Sequence, residues 1–283
     1  MAPTAGLGFK PEHFAEAMSC PADGLWFEVH AENYMVAGGP KLAMLEALRS
    51  RYPLSIHGVG LSLAGDADPD PRSLAALKSV VDRFQPFVVS EHLAWSSWAG
   101  AHLPDLLPFP RNQESLQRLV RNVDIAQQAL GRSILIENPS AYLPLAHEIS
   151  EVEFLADLAH RTGCGLLVDV NNAYVSAANV GGDAAAYLAA LPADAIGEIH
   201  LAGHSPDAGA PDSGLLIDTH AAPVCDAVWR LYADLLARIG PRPTLIERDD
   251  NVPGFAVLMA EREHAASLLT AATPAGGTYA IAC

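Results

Sequence analysis

The chain has 283 residues, is 50% hydrophobic and carries a formal net charge of -16. This length suits one large barrel or open α/β domain, and the acidic balance argues against non-specific binding to nucleic acid or an anionic membrane. The opening MAPTAGLGFK lacks a basic segment followed by an apolar one, no run is long and apolar enough to span a bilayer, and Cys20, Cys164, Cys225 and Cys283 stand far apart with no Cys-x-x-Cys. The expectation is a cytoplasmic protein with free thiols and without a signal peptide, membrane span or disulfide framework.

Short apolar runs recur along the chain, each closed by polar residues. GLGF from Gly6 and LWFEVHAEN from Leu25 come first, followed by the helical spacing of Leu42, Leu45 and Leu48. LSIHGVGLS from Leu54 precedes a segment with Leu74, Leu77, Val80, Val81 and Phe84 on one helical face, and FVVSEHLAW from Phe87 precedes another with Leu116, Leu119, Val123, Ala126 and Leu130. SILIENP from Ser133 leads to SEVEFLADLAHRTG, which opens on a capping-box serine three residues before Glu153 and ends in Gly163. GLLVDVNN, IGEIHLAGH and PTLIERD complete the strand-like runs, and the helical APVCDAVWRLYADLLARIG lies before the last of them. Strands alternating with helices about eight times predict a (β/α)8 TIM barrel over residues 1–271, with 272–283 as a C-terminal tail. An open doubly wound sheet is the structural alternative, but no G-x-G-x-x-G turn follows the first strand.

Polar residues fall where such a barrel carries its active site, at the C-terminal ends of the strands. Strand three ends in His57, strand four in Glu91 and His92, and strand five in Glu137 and Asn138. Strand six ends in Asp169, Asn171 and Asn172, strand seven carries His200 and His204, and strand eight ends in Glu247, Arg248 and Asp249. The segment IDTHAAP adds Asp218 and His220. One strand-end histidine is usually a satisfied polar group; six successive strands ending this way are not. So many carboxylates in one mouth need cations between them, and Arg248 is the single arginine or lysine in these strand ends. Imidazole and carboxylate without thiolate suit iron, manganese or zinc. The supply of donors exceeds what one ion needs, so two or more ions with Glu137 or Asp169 bridging are expected. On this reading His200 is a ligand with His204 behind it, and Glu32 and Asn33, after strand two, contact substrate. SPDAGAPDSG from Ser205 reads as a solvated loop, and Trp95 and Trp98 as core or rim packing.

The segments FEVHAENYMVAGGP, SIHGVGLSLAG, SEHLAW, LIENPSAYL, LLVDVNNAYVSAANVG, EIHLAGH, IDTHAAPV and LIERD together resemble the multinuclear non-haem iron-dependent oxidative enzymes, the MNIO family. The resemblance runs from about Gly6 to near Leu269, is closest in wording to the branch that modifies bufferin-type copper-binding peptides, and is more distant from the methanobactin-maturing enzyme. It implies a TIM barrel with two or three irons. His57, His92 and Glu137 would hold one; Asp169, His200 and Glu247 another, with Glu137 bridging; Asn171, Asp218 and His220 a third. It also implies O2-dependent oxidation of cysteines in a ribosomally made precursor peptide, to oxazolone–thioamide or thiooxazole groups, with a partner protein that recruits the peptide. Two rival readings are a divalent-metal sugar isomerase or endonuclease on a similar barrel, and a non-catalytic metal-binding protein.

Overall fold

The computed structural model of the protein describes residues 4–98 and 101–273. Eight parallel strands close a barrel: β1 (Ala5–Gly8), β2 (Phe27–His30), β3 (Leu54–Gly58), β4 (Val88–His92), β7 (Leu135–Glu137), β8 (Gly165–Asp169), β9 (Ile196–Leu201) and β12 (Thr244–Ile246). The last pairs with the first, Ala5 opposite Thr244. The expected (β/α)8 architecture is therefore the observed one. The barrel strands are short apolar runs because helices cover their outer side, and burial on both faces removes the alternation of a half-exposed sheet.

The outer helices are α1 (Phe14–Ser19), α2 (Pro40–Arg49), α3 (Pro71–Phe84), α4 (Gln113–Leu130), α5 (Glu151–Thr162), α6 (Val170–Val180), α7 (Ala184–Ala190), α8 (Asp226–Ile239) and α9 (Phe255–Ala272). The stripes read from the sequence are the buried faces: Leu42, Leu45 and Leu48 on α2, and Leu116, Leu119 and Val123 on α4. The capping box of α5 is present, with Ser150 Oγ accepting from Glu153 N and Gly163 ending the helix at φ 69°. The helix α9 continues to Ala272, and residues 274–283 of the expected tail lie outside the described residues.

Two hairpins rise above the strand ends. One is β5 (Trp95–Trp98) with β6 (Ala101–Leu107), and the other is β10 (Ser205–Pro206) with β11 (Leu216–Ile217). The sequence reading took the first as core or rim packing and the second as a solvated loop. Trp98 is instead 58% exposed on its hairpin. Among the described residues no helix is long and apolar enough to cross a membrane.

Candidate metal centre

In a strand, residues two apart share a face. His30, His57, His92, Glu137, Asp169 and His200 lie at or near the ends of their strands, and Glu247 directly follows β12. Parallel pairing sets them side by side: His30 opposite His57, His92 opposite Glu137, and Asp169 opposite His200. Apart from His30, all are buried or nearly so, gathered under a cavity of about 400 Å³.

The tightest group is His57, His92 and Glu137. His57 Nε2 lies 3.2 Å and His92 Nε2 3.4 Å from Glu137 Oε2, and the two nitrogens are 3.3 Å apart. Donor atoms sharing an ion at about 2.0–2.2 Å stand about 3–3.5 Å from one another, so this triangle has the dimensions of one ion's ligand set. Ser90 Oγ, 2.7 Å from His57 Nδ1, fixes the ring from behind.

Glu137 also faces the other way. Its Oε1 is 3.7 Å from His200 Nδ1, which lies 3.1 Å from Glu247 Oε2. Glu137, Asp169 and His200 offer a second set of mutually close donors, and Asp169, His220 and Glu247 a third. Asp169 is the N-cap of α6: its Oδ1 accepts Asn172 N at 2.6 Å, while Oδ2 is left over. Asn138 holds it from the side, donating to Asp169 O and accepting from Asp169 N, both at 3.0 Å.

The β10–β11 hairpin brings in Asp218 and His220. His220 takes a left-handed φ of 48°, uncommon for a residue with a side chain. Its Nε2 lies 2.9 Å from Asp218 Oδ1 and its Nδ1 3.1 Å from Asp249 Oδ2. Such an outlier persists only where its surroundings over-determine it.

The remaining sequence candidates divide. Asn171 sits on the first turn of α6 rather than on a strand; it donates to Asp218 Oδ1 at 2.7 Å, and its Oδ1 is 2.7 Å from His204 Nδ1. His204 thus meets Asn171, and stacks on Tyr174 with ring centroids 5.1 Å apart. Glu32 turns toward the β3–α3 loop and accepts Val59 N at 3.0 Å. Asn33 lies exposed at a side cavity of about 230 Å³ that shares His30, Glu247 and Asp249 with the main one. Arg248 points away from the mouth to Glu261 on α9, 2.9 Å distant.

Of the residues that the structure places at the site, sequence reasoning left out Glu198 and Lys10. His30, Glu247 and Asp249 form a further donor group, as do Glu28, Glu198 and His200. Glu28 and Glu198 each precede a mouth histidine by two residues, so the period of the strand was the signal that finds them. Lys10, directly after the first run, was also missed; its Nζ meets Asp249 Oδ1 at 2.9 Å at the rim.

Electrostatics show what this crowding demands of the chain. Burial pushes the Glu137 carboxyl up to about 7 against the pull of His92 and His200. Burial, then the nearby Asp218, raises Asp169 well above the carboxylate range. Burial opposes charge on His92, but Glu137 and Glu91 lift it to about 9. Burial and the neighbouring His92 and His200 lower His57. Glu247 is held well below its ordinary value despite burial, chiefly by His220 and His200. With protein atoms alone, protons must take the positions that cations fill in a metal site. Even so, Glu137 Oε2, Asp169 Oδ2, His200 Nε2 and His220 Nε2 are buried without a hydrogen bond. Each such atom costs about 1–3 kcal/mol, and ions held in the separate donor groups would satisfy the carboxylate oxygens among them.

Comparison with known proteins gives this site a setting. A model of a family described as the RiPP precursor modification enzymes MbnB/TglH/ChrH matches residues 4–270. The chain belongs to this family. Relatives of the chain include a UPF0276 protein of Caulobacter vibrioides, 66% identical over 270 residues, which cover 95% of this chain and 96% of that one. A UPF0276 protein of Bordetella bronchiseptica is 53% identical over 266 residues, 94% of this chain and 92% of the relative. Solved structures match in fold at low identity. A zinc-bound IOLI protein superposes with a TM-score of 0.59 at 11% identity, covering 97% of this chain and all of that one. Endonuclease IV from Thermus thermophilus gives 0.54 at 17% identity, covering 95% and 98%.

Proposed function

We propose that this chain is an O2-dependent multinuclear iron enzyme that oxidises cysteines of a ribosomally made precursor peptide to oxazolone–thioamide or thiooxazole groups. The observation that carries the reading is the double engagement of Glu137. One oxygen faces His57 and His92 and the other faces His200. A carboxylate with donors converging on both oxygens suits a bridge between ions rather than a terminal ligand. Asp169 and Glu247 then lead on from His200 to His220.

The ligand set we assign is His57, His92, Glu137, Asp169, Asn171, His200, Asp218, His220 and Glu247, for two or three irons. Imidazole and carboxylate donors fit iron, and no cysteine joins the candidate groups among the described residues. When bound, the ions would supply thiolate binding, O2 binding and the redox step. The chain supplies the rest. Glu137, Asp169 and Glu247 balance the ions' charge, and Ser90 and Asn138 keep two of the donors in place. Leu103 and Leu106 of the β5–β6 hairpin line the mouth cavity and exclude water beside it. Glu32 and Asn33 are assigned to substrate contact at the rim.

Family membership supports a peptide substrate. A bufferin-type precursor, a recruiting partner protein, a cytoplasmic location and no role for nucleic acid complete the proposal. A divalent-metal isomerase or endonuclease is the second reading, and Lys10 at the rim favours the isomerase, supplying a lysine that the quoted strand ends do not carry. Its pairing with Asp249 at 2.9 Å weighs against a free catalytic amine. The deciding experiment supplies iron-loaded protein with a cysteine-containing candidate precursor and its partner. Peptide-dependent O2 uptake with a mass change at cysteine is the expected result. Turnover of a sugar or a nucleic acid without O2 would replace the proposal with the second reading.

A further inference from the structure

The side cavity of about 230 Å³ adjoins the mouth, since His30, Glu247 and Asp249 line both. Its polar lining divides by whether each side chain is already engaged. Asp249 pairs with Lys10 at 2.9 Å, Glu247 faces His30 at 3.5 Å, and Glu28 accepts Ser55 Oγ at 2.7 Å. Three side chains are left over: Asn33, Tyr34 and Lys41 find no hydrogen bond or ion pair among the described residues. Tyr34 is only 5% exposed, and a polar group so deep usually has a partner. Lys41 stands in the first turn of α2, whose N-cap, Gly39, offers no capping side chain and whose first turn holds no acid. A lysine at the positive end of a helix opposes the dipole, and the free N–H groups of that turn lack an acceptor. Both are relieved by an anion, although the chain as a whole carries a net charge of -16.

We propose that Asn33, Tyr34 and Lys41 form a subsite for a carboxylate carried by the substrate peptide beside its reacting cysteine. The inference rests on the reading of the mouth as the place where that peptide reacts. All three unengaged side chains can donate a hydrogen bond, and one of them is a cation. A neutral amide would satisfy Asn33 and Tyr34 but leave the ammonium without a counter-charge. A carboxylate can accept from all three through its two oxygens, and charge-assisted bonds are about twice as strong as neutral ones. Of the acids that line the cavity, Asp249 is offset by Lys10, while Glu28 and Glu247 turn to His200. The volume lies below the roughly 300 Å³ at which sites for whole small ligands begin. It therefore suits one group of a larger molecule whose remainder lies in the mouth. Two parts of a peptide carry this chemistry, its C-terminus and an acidic side chain.

The test follows the Tyr34 ring by carbon–proton correlation in the full chain loaded with zinc, which is diamagnetic, with the resonance assigned through a Tyr34→Phe variant. Three probes are titrated. N-acetylglycine carries a terminal carboxylate, N-acetylaspartic acid α-amide carries one on its side chain alone, and N-acetylglycinamide carries none. At least one of the two acids should shift Tyr34 saturably while the amide does not, and the tighter acid names the source. Lys41→Met should weaken that acid by about 10-fold or more, and Lys41→Arg should keep most of the affinity. Lys41 is exposed, so neither change threatens the fold. The subsite is overturned if neither acid shifts Tyr34, if the amide binds as tightly, or if Lys41→Met binds the acid unchanged. Zinc uptake is read separately. A chain that takes up no zinc, yet binds the acid through Lys41, sinks the metal reading and keeps the subsite.

Discussion

Glu137→Gln should remove metal from the centre without unfolding the barrel. The substitution keeps the shape of the side chain and deletes the one charge shared by His57, His92 and His200. An amide cannot bridge two cations, and its NH2 group would face ligand nitrogens. Metal content should fall from two or three ions to at most one, and activity by about 10³-fold or more, more than the 10- to 100-fold typical of a supporting residue. Metal-free stability should hardly change, because the buried carboxyl is costly to ionise and is pushed up to about 7. The separation is measurable. Melting of the metal-free proteins should coincide, while added metal should stabilise the wild type more than the variant, by about 2.7 kcal/mol for each lost site at a free concentration 100 times the dissociation constant. A Glu137→Gln protein with normal metal content and turnover would remove Glu137 from the ligand set.

Gly203→Ala should damage the other side of the mouth. Gly203 lies just past β9, against the chain that follows His220. A Cβ there would run into Ala222 O, Ala222 C and Pro223 O, all backbone atoms. No flexible side chain can yield, so the segment from Asp218 to Pro223 must shift. Overpacking of this kind costs about 1–3 kcal/mol, occasionally more, and a clash with three backbone atoms belongs at the upper end. The variant should lose that much stability by denaturant midpoint. It should also lose the ion associated with Asp218 and His220 while keeping the one on His57, His92 and Glu137. Unchanged stability and metal content would mean that the 203–222 approach does not set the position of His220.

The barrel was legible because its signal repeats. Eight apolar runs, most of them followed by a segment of helical spacing, leave few alternatives, and the caps at Ser150 and Gly163 mark the two ends of one helix with local chemistry. The upper ring of the site was legible for the same reason, since strand ends can be counted. What lay below or above the ring was not. Glu198 sits inside a strand and shows itself only through its two-residue spacing from His200. The β5–β6 hairpin carries no Asn-Gly or Asp-Gly turn signal of the usual kind, and of its two tryptophans Trp95 packs against the core as read while Trp98 is exposed. Asn171 and Asn172 were read as strand-end residues because Asp169 both ends β8 and caps α6. No loop separates the two elements, so sequence spacing gives no boundary. Lys10 escaped because its role depends on Asp249, 239 positions away.

The central claim is a multinuclear iron centre at the mouth of the barrel. Its most direct test is elemental analysis of the full chain, produced with iron supplied and purified without oxygen. The account predicts two to three irons per chain with little zinc or manganese. Mostly zinc or manganese, unchanged when iron is supplied, would contradict it and favour the isomerase or endonuclease reading.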